Sequence, residues 1–209
     1  MASGKQSWVA PAEPVAGTVA HGARGTFRRA RCIGCRTFAE LCYCAEIPTL
    51  SLRTKIVIVM HKFEQWKTTN TGWLAARATK GQVFVRGEDQ AAPLLSNAAV
   101  LYPSEHAVVL TPEMPFTTLV VPDGTWSQVR RIVRREDSIA KLPHVKLASP
   151  PQSQYKLRRG AREGGVATLE AVAHAIAAIE GEAAAAPLHA IFKVMVERTL
   201  RSRGLPPGA

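Results

Sequence analysis

Short apolar runs and amphipathic stretches alternate along most of the chain. Lys55 to Met60 (KIVIVM), Gln82 to Val85, Ala98 to Leu101, Ala107 to Leu110, Thr117 to Val121 and Val145 to Leu147 read as strands. Several are too uniformly apolar to face water on one side, which predicts a central, mostly parallel sheet covered by helices. Between them, Asn70 to Thr79 has helical spacing and is predicted to stop at Gly81. A second helix, Trp126 to Arg135, is predicted to open on a capping box, Thr125 with Gln128 three residues on. Thr168 to Glu180 forms a third, ending at Gly181. Pro187 suits the start of a fourth, whose apolar face is Leu188, Ile191, Phe192, Met195, Val196, Thr199 and Leu200. The fold class is α/β with flanking helices.

This periodic part is bounded by segments of different character. Residues 1–30, rich in Ala, Gly, Pro and Arg, read as a flexible basic arm, and residues 204–209 as a tail. Residues 49–203 form the α/β core, preceded by a cysteine-bearing segment over 31–48. The arm lacks the apolar stretch of a secretory signal, and no apolar run approaches the ~18 residues that span a bilayer. A protein of the cytoplasm with no membrane partner is expected, and a monomer is favoured. At 209 residues, one domain can bury its own core.

Charge narrows the partner. The chain has 27 Lys and Arg against 16 Asp and Glu, a formal net charge of +11. Arg130, Arg131, Arg134, Arg135, Lys141, Lys146, Lys156, Arg158, Arg159 and Arg162 face only Glu136, Asp137 and Glu163 between Trp126 and Glu163, a local excess of seven. Such clustering favours nucleic-acid phosphates over a merely solvating surface.

All four cysteines fall within thirteen positions, Cys32, Cys35, Cys42 and Cys44, spaced C-x2-C-x6-C-x-C. Four thiolates this close can close a tetrahedral zinc site, whereas disulfides suit a secreted chain and an iron–sulfur cluster is the remaining alternative. With no open ligand position, such a metal would hold the fold or help grip RNA. Arg28, Arg29, Arg31 and Arg36 flank it.

The strand to Val121 turns through Pro122, Asp123 and Gly124 into the helix at Thr125. Ligands collect at such strand ends in open α/β sheets. Asp123 and Thr125 could equally be turn and cap residues, with Trp126 a core anchor.

Asp123, Gly124, Thr125 and Trp126 resemble the D-x-T-W signature of the DTW-domain family. In order and spacing the four-cysteine knuckle is also similar to that family. So are His61 to Glu64, then Asn70 to Gly72, Tyr155 to Arg159, and Thr168 to Ala171. One departure is Lys62 after His61, where many relatives would carry proline. The resemblance runs from Arg31 to Phe192, so that residues 31–203 read as one DTW domain. It implies a relationship to knotted SPOUT-type methyltransferases. It also implies transfer of the 3-amino-3-carboxypropyl group of S-adenosylmethionine to N3 of a tRNA uridine, releasing methylthioadenosine.

On that reading Asp123 is the candidate base, or else it binds the donor's amino group or orients the uracil. Thr125 and the helix N-terminus are candidates for the methionine carboxylate, and Trp126 for stacking. His61, Glu64, Asn70, Thr71, Gly72, Arg158, Thr168 and Glu170 are expected to line the donor site. Arg130, Arg131, Arg134, Arg135 and Arg159 are expected to meet RNA. A SPOUT-like RNA methyltransferase and a non-catalytic zinc-containing RNA-binding module are the alternatives.

Overall fold

The computed structural model describes residues 30–87, 95–149, 153, 155 and 165–206. Among the described residues there are six strands, β1 Lys55–His61, β2 Gln82–Arg86, β3 Ala98–Leu101, β4 Val108–Val109, β5 Thr118–Asp123 and β6 His144–Lys146. They form one sheet in the order β2-β1-β5-β3-β6-β4 with every pairing parallel. The α-helices among the described residues are α1 Gly72–Thr79, α2 Trp126–Arg135, α3 Thr168–Glu180 and α4 Glu182–Ser202. None is long and apolar enough to cross a membrane.

The uniformly apolar strands are buried on both faces, as their sequence requires. Ile56, Ile58, Met60, Leu119 and Val121 pack with α1, α3 and α4. Their alternates Val57, Val59, Val100 and Val120 pack with Ile132 and Val133 of α2 and with Ile139. The result is a sheet between two helical layers.

The elements follow the sequence pattern with three instructive differences. Strand β5 runs on through Pro122 and Asp123, paired with Val59 and Met60 of β1. Its pairing with β3 has ended by Val120, so the missing proline N–H interrupts no ladder on that side. Helix α1 ends on Lys80 in the left-handed region (φ +53°) and not on Gly81. The Gly81 N–H closes the cap on the Ala76 carbonyl at 2.7 Å, and a side chain at 81 would meet the Ile56 carbonyl oxygen at 2.6 Å. Helix α4 starts five residues before Pro187. Ala183 to Ala186 are strong helix formers, and they outweigh the one hydrogen bond that the proline gives up.

Candidate functional site at the carboxyl ends of the strands

Asp123 ends β5 and is only 3% exposed. Its Oδ2 accepts a hydrogen bond from Asn70 Nδ2 at 2.6 Å, and its Oδ1 accepts one from the Thr168 hydroxyl. Asn70 stands at the mouth of α1, where its Oδ1 accepts the Trp73 N–H at 2.9 Å. Thr168 is the first residue of α3. Two helix N-termini therefore converge on one buried carboxylate, and their orphan N–H groups favour negative charge there. Thr71 Oγ1 accepts the Leu169 N–H at 3.4 Å and ties the two helix starts together. Gly72 lets α1 come so close: a Cβ there would lie 2.8 Å from Asp123 Cγ and Oδ2.

The next turn is built as the sequence predicts. Thr125 Oγ1 accepts the Gln128 N–H at 3.4 Å, and Gln128 Oε1 accepts the Thr125 N–H at 2.6 Å. Trp126, the first residue of α2, is exposed and not a core anchor. Beside it a cleft of about 360 Å³ opens at the carboxyl ends of β3, β5 and β6. Its walls are largely apolar, Leu101, Val121, Pro122, Leu147, Val166 and Ala171, with Trp126, Lys146 and Thr168 also lining it. A small pocket of this size and character suits an organic ligand with a few fixed polar contacts. Thr168 is both a cleft residue and the hydrogen-bond partner of Asp123.

His61 ends β1 next to this turn, since a Cβ on Gly124 would lie 3.6 Å from His61 Cβ. Burial lowers its pKa, and Arg86, Arg131 and Lys62 reinforce this against the opposing pull of Glu64. Its Nδ1 accepts the Phe63 N–H at 3.3 Å. Glu64 is buried and paired with Lys67 Nζ at 2.6 Å, in the loop that follows. Glu170, also buried, uses Oε2 to accept the Ala167 N–H at 2.8 Å and the Ser153 hydroxyl at 2.6 Å. It thereby caps α3 and fastens the segment before it, and Tyr155 adds a second tether, its hydroxyl donating to the Thr69 carbonyl at 2.8 Å. Arg158 and Arg159, like Lys156 and Arg162, lie outside the described residues.

Arg130, Arg131, Arg134 and Arg135 are all exposed on α2 and line one shallow depression with Ser127. Glu136, at the helix end, is engaged by Arg86 at 3.2 Å. The outer face of α2 is thus left to four guanidinium groups.

The cysteines form a second centre. Their sulfurs all lie within 4.8 Å of one another, with separations of 3.6 Å for Cys32 to Cys44, 3.4 Å for Cys42 to Cys32 and 3.7 Å for Cys35 to Cys42. Four thiolates at ~2.3 Å from a tetrahedral ion stand about 3.8 Å apart, so this cage has the size of a metal site. All four are free thiols. Burial opposes ionisation of Cys32, yet hydrogen bonds from Cys35, Cys42, Cys44 and Gly34 hold it down at about 7. Burial pushes Cys42 up to about 11 and Cys44 higher still. A cation is what would let all four be thiolates together. Gly34 is obligatory, since a Cβ would meet Cys44 Sγ at 2.6 Å. The knuckle docks on α1 through Arg77, which donates to Cys44 Sγ at 3.4 Å.

The structure thus gathers Asp123, Asn70, Thr71, Gly72 and Thr168 at one point, puts Trp126 on the adjoining cleft, and turns Glu64 and Glu170 to local partners. The sequence reading missed the cleft walls supplied by β3 and β6, and Ser153. The available signal was the parallel sheet itself, because side chains just past the ends of neighbouring strands share one rim.

The model of the family described as "DTW domain" matches residues 29–200. Among curated proteins, tRNA-uridine aminocarboxypropyltransferase 2 of Drosophila melanogaster is 27% identical, over 81% of this chain and 76% of the fly protein. The Macaca fascicularis protein of the same name is 27% identical over 85% of this chain, and the Mus musculus one 30% identical over 73%. The chain covers 62% and 57% of those two mammalian proteins, less than two thirds of each. No solved structure matches the chain.

Proposed function

The chain belongs to the DTW domain family, and we propose that it transfers the aminocarboxypropyl group of S-adenosylmethionine to N3 of a uridine in tRNA. The observation that carries this reading is the cleft at the ends of β3, β5 and β6, bordered by Trp126 and reached by the Thr168 to Asp123 hydrogen bond. The names of the relatives support the chemistry, and the four exposed arginines of α2 support the partner.

In this reading the donor supplies a carbon already activated by a sulfonium: as the N3–Cγ bond forms, the Cγ–S bond breaks onto sulfur and methylthioadenosine leaves. The protein's task is then geometry and one proton. The apolar walls Leu101, Val121 and Leu147 receive the adenosine part and exclude water. Thr125 and the N-terminus of α2 face the donor's carboxylate, with Arg158 a second partner for it. Trp126 stacks on the uracil or the adenine. The imide proton of uridine must leave as N3 attacks, and Asp123 is its acceptor. Because Asp123 is buried and Thr168 lines the cleft, the Thr168 hydroxyl relays that proton by passing its own to Oδ1.

Around that centre, Asn70, Thr71 and Gly72 position the carboxylate, while His61, Glu64 and Glu170 shape the loops that border the donor. Arg130, Arg131, Arg134, Arg135 and Arg159 hold tRNA phosphates. The four cysteines carry zinc as a structural ion. Residues 31–203 act as one unit in the cytoplasm, related to the knotted SPOUT-type enzymes, and as a monomer.

The test is to incubate the protein with unmodified tRNA and S-adenosylmethionine and to analyse nucleosides and by-product together by mass spectrometry. Aminocarboxypropyl-uridine with methylthioadenosine is expected. A methylated nucleoside with S-adenosylhomocysteine would move the chain to the methyltransferases. Binding without either product would leave an RNA-binding module.

A further inference from the structure

We propose that the loop joining β1 to α1, residues 62–69, is a stacking platform for unpaired RNA bases, with Phe63 and Trp66 as its two rings. The proposal rests on the tRNA reading above and adds a recognition element to it.

Phe63 is 66% exposed and Trp66 75% exposed, within four residues of each other. Burial does not explain them, since neither ring belongs to either core cluster. The loop that carries them is nonetheless well ordered by its bonds. Glu64 N–H bonds the His61 carbonyl at 2.8 Å, Lys67 N–H the Glu64 carbonyl at 3.0 Å, and Asn70 N–H the Lys67 carbonyl at 3.1 Å. The Arg36 guanidinium donates to the Gln65 carbonyl and lies 5.7 Å from the centre of the Trp66 ring. Two large rings on a rigid loop present area at little entropic cost, which is what a binding surface needs.

Charge selects the occupant. Lys62 Nζ lies 5.4 Å from the centre of the Phe63 ring, and Arg36 flanks Trp66. The loop's one acidic residue, Glu64, is buried against Lys67. Aromatic faces interleaved with cations match single-stranded nucleic acid, whose bases stack while its phosphates pair. An apolar protein partner would gain nothing from the flanking cations.

Position ties the platform to the site. The loop leaves from His61, beside the Gly124 turn, and returns at Asn70, which bonds Asp123. Both stems therefore border the buried carboxylate. Bases stacked on Phe63 and Trp66 would be neighbours of the nucleotide presented there.

The experiment measures the Kd for an unmodified tRNA transcript, at several salt concentrations, for the wild type, Trp66→Phe and the double variant Phe63→Ala with Trp66→Ala. Thermal unfolding of each checks the fold. Each ring is expected to contribute roughly 5- to 150-fold, so the double variant should bind at least about 25-fold more weakly. Its salt slope should match the wild type, because stacking releases no counterions. Trp66→Phe should keep most of the affinity. A double variant that binds tRNA as the wild type does would overturn the platform while leaving the tRNA reading intact. So would a loss accompanied by a shallower salt slope, which would assign the effect to phosphate contacts. If the wild type binds the transcript but makes no aminocarboxypropyl-uridine, the transferase reading fails and the Kd ratio still decides the platform. If the wild type does not bind RNA, both fall.

Discussion

Asn70 stands between Asp123 and the first turn of α1, giving its amide N–H to the carboxylate at 2.6 Å and its amide oxygen to Trp73 N–H at 2.9 Å. One side chain thus serves both a buried carboxylate, alongside Thr168, and a backbone N–H of the first helical turn. Asn70→Ala should cost about 2–4 kcal/mol, the sum of a lost helix cap and a lost charge-assisted hydrogen bond. Asn70→Asp keeps the cap but sets a second carboxyl against the first. It should be less stable than Asn70→Ala at neutral pH and recover relative to it as pH falls, when one carboxyl takes a proton and donates to the other. Urea unfolding of both variants across pH checks this. A difference between them that does not change with pH would show that the two side chains are not in contact.

Gly72→Ala sets two known effects against each other. Alanine is favoured over glycine in a helix by about 1 kcal/mol. Here, however, the new methyl would lie 2.8 Å from Asp123 Cγ and Oδ2, a buried group held by Asn70 and Thr168. Overpacking a fixed neighbour typically costs ~1–3 kcal/mol, so net destabilisation of up to about 2 kcal/mol and a loss of transfer activity are expected. A variant that is more stable than the wild type and fully active would show that the carboxylate moves freely.

The two layers and the capping box at Thr125 were legible because each rests on local pattern. The run KIVIVM can only be buried on both faces, and Thr125 with Gln128 is a reciprocal pair readable within four residues. Asp123 was legible as a site residue, but its partners Asn70 and Thr168 lie 53 and 45 positions away, and only the fold brings them together. Glu170 and Glu64 illustrate the limit. Sequence spacing marks both carboxylates as donor-site candidates but gives no sign of their local partners, the Ala167 N–H for Glu170 and Lys67 for Glu64, which only the fold supplies. The start of α4 was misplaced because a proline is a stronger signal to the eye than four alanines are to the backbone.

Removing one thiol from the cysteine cage should be felt beyond the knuckle. Cys35 is fully buried, and Cys44 is bonded to Arg77 of α1, the helix that holds Asn70 at its start. Cys35→Ser should release about one zinc per chain and destabilise the domain by several kcal/mol, as loss of a structural ion does. A strong chelator should do the same to the wild type. Metal analysis beside thermal unfolding tests it; a variant with full zinc content would remove Cys35 from the ligand set.

The arginine face of α2 makes a prediction about slope rather than affinity alone. Arg130→Gln with Arg134→Gln should weaken tRNA binding and reduce the dependence of log Kd on log salt by about 1.4–1.8, or 0.7–0.9 for each phosphate contact. An unchanged slope would mean that these guanidinium groups, exposed as they are, do not meet phosphates.

At the opposite end of the sheet, Glu180 closes α3 and reaches the chain just before β1, accepting the Thr54 N–H at 2.7 Å and the Arg53 N–H at 3.1 Å. Burial works against its charge, but these two bonds and the Arg53 guanidinium more than offset it and leave its pKa below the ordinary 4.5. A carboxylate with a lowered folded-state pKa contributes stability that is present above the unfolded value and lost as pH falls through the folded one. Glu180→Gln removes the charge and turns an amide N–H toward one of the two donors. It should cost about 1–2 kcal/mol at pH 7. The deficit should stay constant down to about pH 5 and shrink below 4.5, where the unfolded chain begins to take up the proton, until the folded carboxylate is protonated at its lower value. Urea unfolding of the two proteins from pH 7 to pH 4 measures it. A deficit that holds its full size at the acid end would mean that Glu180 acts through shape alone and not through charge.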